Sequence, residues 1–201
     1  MYSAVIFDWD GTLADTREII VHSFQKVLRK IGCRVSDEFL ERLIGIGARN
    51  MFKKSLEAAG IRYDEEMIDN LLKEKMEIHL ELTPKVKLFD GAISLLESLR
   101  PKVKIALATM SNRKVIDKML KEKGIQNYFD YVLTADEVKN PKPDPEAFLK
   151  CAEAIECEPE KCVVVEDSIF GVIAARRAGM RCIAVPSGSY SRSELEREKP
   201  D

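Results

Sequence analysis

The 201-residue chain carries 32 lysines and arginines against 34 aspartates and glutamates, a net charge of −2, and 45% of its residues are hydrophobic. That length supports one domain with a modest insertion, and the even charge balance supplies no net field to draw in nucleic acid or a membrane surface. No apolar stretch approaches the ~20 residues needed to cross a bilayer, and the N-terminus lacks the basic segment, apolar run and cleavage site of a secretory signal, so the expected location is the cytoplasm.

The first element is an apolar run, Ala4–Phe7, which reads as a strand and gives way to Asp8-Trp9-Asp10-Gly11-Thr12. In extended backbone, residues i and i+2 project to the same side, so Asp8 and Asp10 share one small volume. Two like charges ~4 Å apart in an effective dielectric of ~20 repel by roughly 4 kcal/mol, which calls for a cation, a shared proton or a positive partner. A bound metal ion is the favoured answer. From Asp15 to about Pro84 the pattern is helical throughout. Ile19, Ile20, Phe24, Val27, Leu28 and Ile31 keep helical spacing up to Gly32; Ser36 with Asp37 and Glu38 opens a second helix; Ala48–Ala59 predicts a third before Gly60; Asp64–Leu82 predicts the fourth and longest. Four helices without a strand predict a small bundle over residues 15–84, set into a larger domain made of 1–14 and 85–201.

Beyond the insert, apolar runs at Val103–Ala108, Tyr131–Leu133, Cys162–Val165 and Cys182–Val185 alternate with helix-period segments near Lys114–Lys123, Pro145–Ile155 and Ile169–Ala178, with Gly124 and Gly179 as stops. Near-continuous apolar strands suit a parallel sheet covered on both faces, so the pattern predicts a doubly wound, Rossmann-like α/β fold. Cys33, Cys151, Cys157, Cys162 and Cys182 form an odd set without a CxxC pair and read as small buried hydrophobes. Trp9 reads as packing, and His22 and His79, on the helices of the insert, are assigned no role.

Open α/β sheets bind ligands beyond the carboxyl ends of their strands, which directs attention to the residues after each apolar run. After Val103–Ala108 come Thr109-Met110-Ser111-Asn112, whose hydroxyls and free N–H groups near a helix start suit phosphate oxygens. After Cys162–Val165 come two acids and a hydroxyl, Glu166-Asp167-Ser168. Between them, Asn140-Pro141-Lys142-Pro143-Asp144-Pro145-Glu146 stiffens the backbone around a lysine that can balance a crowd of carboxylates. Hard oxygen ligands from Asp8, Asp10 and Asp167, completed by water and phosphate, describe magnesium better than zinc or copper.

In order and placement these segments resemble the four signature motifs of the haloacid dehalogenase superfamily of phosphohydrolases: Asp8-Trp9-Asp10-Gly11-Thr12 the first, Thr109 the second, Lys142 in Lys-Pro-Asp-Pro-Glu the third, and Glu166-Asp167 the fourth. The resemblance spans nearly the whole chain. It implies a Rossmann-like core with the helical insert as a mobile cap, and a small phosphorylated metabolite as substrate. By the family pattern Asp8 attacks phosphorus to form an aspartyl-phosphate, and Asp10 protonates the leaving alcohol and later deprotonates the hydrolytic water. The pattern further implies magnesium held by Asp8, the Asp10 backbone carbonyl and Asp167, with Glu166 beside the metal or just behind it, and phosphoryl oxygens held by Thr109, Ser111 and Lys142. Leu43–Arg49 resembles the cap loop that faces the active site, where Arg49 would clamp a second anionic group.

Within the superfamily, Asp10-Gly11-Thr12-Leu13-Ala14-Asp15-Thr16 looks closest to the phosphoglycolate phosphatase and pyrophosphatase-like branch. The β-phosphoglucomutases, the alternative, also keep both acids, but usually follow them with Gly-Val and carry a hinge histidine where Ile20 falls. An alternative of another class is a phospho-accepting receiver module, which uses similar residues but lacks an insert after its first strand. A monomer is the expected state, with a dimer left open. Relatives continue past a segment like Ser191–Asp201 into another short strand and helix, so the sheet edge there is expected to be the least secure part of the fold.

Overall fold

In the computed structural model, which describes residues 2–201, the elements run β1 (Ala4–Phe7), β2 (Ala14–Asp15), α1 (Arg17–Lys30), α2 (Asp37–Glu41), α3 (Ala48–Ala58), α4 (Glu65–Leu82), β3 (Lys87–Leu88), α5 (Ala92–Leu99), β4 (Lys104–Ala108), α6 (Arg113–Lys123), β5 (Tyr131–Leu133), α7 (Glu146–Ala154), β6 (Cys162–Glu166), α8 (Ile169–Arg177), β7 (Arg181–Ala184) and α9 (Arg192–Arg197). Five strands form one parallel sheet in the order β5-β4-β1-β6-β7. The chain winds outward from β1 in both directions, which brings the carboxyl ends of β1, β4 and β6 side by side.

Strand alternation divides the core into two layers. Ala4, Ile6, Ala106, Ala108 and Val164 pack with Phe148, Cys151, Ala174 and Ala175 of α7 and α8, whereas Phe7, Ile105 and Leu107 pack with Leu96, Ile116 and Met119 of α5 and α6. A one-residue slip in β1 would exchange these two sets, so the register Ala4↔Lys104 and Ala4↔Cys162 is held from both faces at once. Trp9 is buried in the second layer and its indole N–H donates to Met119 Sδ at 3.2 Å. Helices α1 to α4 share a third apolar core, centred on Phe24, Leu28, Phe52, Leu56 and Ile68. Ser36 and Asp64 cap α2 and α4 by accepting from the N–H groups of Phe39 and Met67.

Most ends shift by a residue or so from the sequence pattern. The antiparallel pair β2–β3, with Ala14 opposite Leu88 and Asp15 opposite Lys87, is new; two residues per strand are too few to show a period. The short α5 and α9 were not anticipated either. The C-terminal segment is tied down: the Asp201 carboxylate accepts from the Cys182 N–H at 2.9 Å and pairs with Arg181. All five cysteines are free thiols. His79, assigned no role from the sequence, is wholly buried. No described helix is long and apolar enough to cross a membrane.

Candidate active site

The turn after β1 is drawn tight by the Trp9 carbonyl, which accepts from Leu13 and Ala14 N–H at 3.1 Å each. Gly11 sits at φ +87°, and a Cβ there would lie 2.3 Å from Asp167 Oδ2. A side chain would collide with that carboxylate, so the glycine is needed for space and for conformation alike. Gly188, in the loop after β7, comes as close from another direction: its Cβ would lie 1.7 Å from the same oxygen. The Ser187 hydroxyl donates to the Gly11 carbonyl at 2.6 Å and joins the two loops.

Lys142 holds the centre together. Its ammonium donates to Asp8 Oδ1 at 2.6 Å, to Glu166 Oε1 at 2.7 Å and to the Ala108 carbonyl at 3.1 Å, which uses all three N–H groups. The peptide bond from Lys142 to Pro143 is cis. Glu166 is fully committed: Oε1 takes Lys142, and Oε2 accepts the N–H groups of Asp167 and Ser168 at 2.9 Å each and the Ser168 hydroxyl at 3.0 Å. Asp10 is held by hydroxyls. Thr16 donates to Oδ1 at 2.7 Å, while Ser111 and Thr109 donate to Oδ2 at 2.8 and 3.2 Å. Thr12 donates to Asp167 Oδ1 at 3.3 Å.

Four acids thus crowd one lysine, and all five side chains are buried. Burial raises the Asp8 pKa well above the usual carboxylate range, with Glu166 and Asp10 adding to it and Lys142 opposing. Asp167 is raised in the same way, by burial first and then by Glu166 and Asp8. Burial works against the Lys142 charge, but Asp8 and Glu166 outweigh it and hold the ammonium above the ordinary lysine value.

The residues expected from sequence divide accordingly. Asp8, Asp10, Thr109, Ser111, Lys142, Glu166 and Asp167 converge on one buried site. Two details differ. Thr109 and Ser111 direct their hydroxyls at Asp10 here, and both Glu166 oxygens already accept hydrogen bonds. Among the described residues no group of three His, Cys, Asp or Glu is gathered as a metal cage; the Asp10 carboxylate is bonded to hydroxyls and that of Glu166 to Lys142, Ser168 and backbone N–H groups. Arg49 lines the cavity between the insert and the sheet. Its exposed guanidinium pairs with Glu65 at 2.7 Å and with Asp69 on α4 rather than standing free.

A family model described as haloacid dehalogenase-like hydrolase matches residues 5–185. The chain belongs to the haloacid dehalogenase-like hydrolases. It is 35% identical over 184 residues to the phosphorylated carbohydrates phosphatase of Thermotoga maritima, covering 90% of this chain and 83% of that protein. It is 32% identical over 192 residues to the fructose-1-phosphate phosphatase YqaB of Escherichia coli, covering 92% of this chain and 96% of that one. Among solved structures, a hydrolase from Pseudomonas syringae superposes with a TM-score of 0.91 at 29% identity, covering all of this chain and 91% of the other.

Several residues of this hydrolase-family site escaped the sequence reading. Thr16 lies just before α1 and anchors Asp10. Lys75, on α4, is buried against Phe24 and lines the space beside Asp10, with its ammonium 2.8 Å from His79 Nδ1. The visible signal for Lys75 and His79 was a charged and a polar residue on an apolar stripe, Leu71-Lys75-Ile78-His79. The loop after β7 also grips the insert. Tyr190 donates its hydroxyl to the Arg42 carbonyl at 2.6 Å, and the Arg42 guanidinium stacks 4.0 Å over the Tyr190 ring and donates to Ser189 O and to Glu194 of α9.

Proposed function

We propose that this chain hydrolyses a small phosphomonoester through an aspartyl-phosphate on Asp8. The observation that supports it most is the three-way contact of Lys142 with Asp8, Glu166 and Ala108 O, beside an Asp10 held by three hydroxyls. Lys142 occupies one oxygen of Asp8 and leaves Oδ2 as the attacking atom. Attack forms a bond from that oxygen to phosphorus and breaks the bond from phosphorus to the alcohol oxygen, which takes a proton from Asp10. Asp10 then receives a proton from the water that cleaves the acyl phosphate. Thr16 keeps Asp10 in place for both transfers, while Ser111, Thr109 and Lys142 have donors that can turn to phosphoryl oxygens.

The residues fit a divalent cation. Asp8 and Asp167 are both raised in pKa by burial and crowding, and Gly11 and Gly188 leave only hydrogen where a side chain would fill the space at Asp167 Oδ2. Asp8, the Asp10 carbonyl and Asp167 are the groups that would hold magnesium, and the ion would neutralise nucleophile and phosphoryl charge so that two anions can meet. Glu166 would act from behind, fixing Lys142. The helical insert, residues 15–84, is the lid of this site. The family match over residues 5–185 sets the receiver-module reading aside.

Phosphate release from a panel of phosphorylated metabolites, with magnesium or with chelator, is the test. Asp8→Asn should fold normally and lose at least about a thousandfold in kcat. Wild-type turnover in that variant would refute the nucleophile.

A further inference from the structure

Two cavities lie between the insert and the sheet. The larger, about 440 Å³, is lined by Arg49, Lys73 and Lys75 of the insert and by Ser111, Asn112 and Lys139 across from them. The smaller, about 30 Å³, is lined by Asp10, Ser111 and Lys75 with apolar neighbours, and is large enough for one water or a small polar group. Lys75 and Ser111 line both. Lys75 therefore stands where the space beside Asp10 opens into the room available for a leaving group.

The cations around the larger cavity are not equivalent. Arg49 is neutralised by Glu65 and Asp69, and Lys73 and Lys139 are exposed, where water weakens any charge they present. Lys75 is buried and has no carboxylate ion pair among the described residues. Its one hydrogen-bond partner among the described residues is His79 Nδ1. Burial, and then the Lys75 charge, hold the His79 pKa well below its ordinary value. The ring is thus neutral, accepting at Nδ1 and carrying its proton on Nε2, which finds no partner among the described residues. Asp10 is near enough to favour the Lys75 charge, but its oxygens accept from Thr16, Ser111 and Thr109 instead. Two N–H groups of a buried ammonium are left over, on the lid side of the catalytic pair.

We propose that Lys75, oriented by His79, determines specificity by binding a second anionic group on the leaving half of the substrate, so that the preferred substrates are small phosphomonoesters anionic at both ends. The inference rests on the phosphatase reading above and adds the substrate class. The shared chemistry is a carboxylate or a second phosphate. His79 is a positioning residue, acting only through Lys75.

Two matched pairs of esters test this: 2-phosphoglycolate against 2-hydroxyethyl phosphate, and fructose 1,6-bisphosphate against fructose 1-phosphate. Wild type should show the higher kcat/KM for the doubly anionic member of at least one pair, and that pair identifies the group recognised. Lys75→Met should raise KM for that member roughly tenfold or more while leaving its neutral counterpart within about twofold, and Lys75→Arg should restore most of the difference. His79→Gln should raise the same KM by a smaller factor, with the counterpart again unmoved. Lys75→Gln carries the same test if Lys75→Met does not fold. Equal changes within both pairs, or no wild-type preference in either, would overturn the inference and leave the phosphatase reading standing. No phosphate release by wild type from any of the four would overturn both.

Discussion

At Lys142 one ammonium satisfies two carboxylates that are themselves buried, so its removal exposes more than a lost contact. Lys142→Met leaves Asp8 and Glu166 facing each other without a counter-charge, and breaking a buried pair from one side costs about 3–5 kcal/mol. Chemical denaturation should show a loss of that order, together with loss of turnover. Lys75 has the opposite sign. Burial pushes its pKa down to about 8, below the ~10.4 of an unfolded lysine. Between those values the unfolded chain holds the proton more firmly, so stability rises with pH across the window and the ammonium is a burden below it. Lys75→Met should accordingly raise the melting temperature at pH 7, and the gain should shrink towards pH 10. A melting temperature lowered at pH 7 would mean that packing around Phe24 outweighs the charge.

Among the elements, α8 shows how a helix can serve a site without touching substrate. Its Gly171 would gain about 1 kcal/mol in helix propensity on changing to alanine, yet the new Cβ would lie 1.8 Å from the Glu166 carboxyl carbon. Displacing Glu166 releases both Lys142 and the N–H groups it caps. Gly171→Ala should therefore lose more than about 2 kcal/mol and lower kcat, measured by urea melts and steady-state rates. The elements themselves were legible to different degrees. Strand β1 matches its apolar run because burial on both faces leaves no polar interruption, and Asp8, Lys142, Glu166 and Asp167 were visible because strand ends are where an α/β sheet meets its ligand. Arg49 could not be assigned from sequence: Glu65 and Asp69 lie 16 and 20 residues away, and only the packing of α3 on α4 decides that they take its charge. Lys75 was hidden for a related reason, since a lysine on a long helix reads as a solvated face until its neighbours are known.

For the whole molecule, the acidic cluster makes stability depend on pH and, at the proposed magnesium site, should make it depend on divalent cations. The carboxyl groups of Asp8 and Asp167 hold their protons to higher pH than an unfolded aspartate, at ~3.9, would. The native state is thus the better proton binder above that pH, and stability falls as pH rises through the folded values. Divalent cation bound by these two groups should return what is lost. At a hundred times its dissociation constant, such an ion adds about 2.7 kcal/mol. Calorimetry at neutral pH should show the melting temperature climbing with magnesium, and Asp167→Asn should melt higher than wild type in chelator yet gain little from the ion. An unchanged wild-type melt on adding millimolar magnesium would count against a cation site here.

Five consecutive residues after β7 join the site, the insert and the last helix: Ser187 bonds the Gly11 carbonyl, Gly188 lies against Asp167, Ser189 and Tyr190 hold Arg42 of the insert, and Ser191 caps α9. Swinging the insert away has to strain or break the Tyr190 and Arg42 contacts, and the pull is felt one or two peptide units from a site carboxylate. On the lid reading proposed above, admission of substrate and the setting of the acidic cluster would thereby be geared together. A stretch of loop that would ordinarily tolerate insertions is, at this point in the chain, the least forgiving place to lengthen.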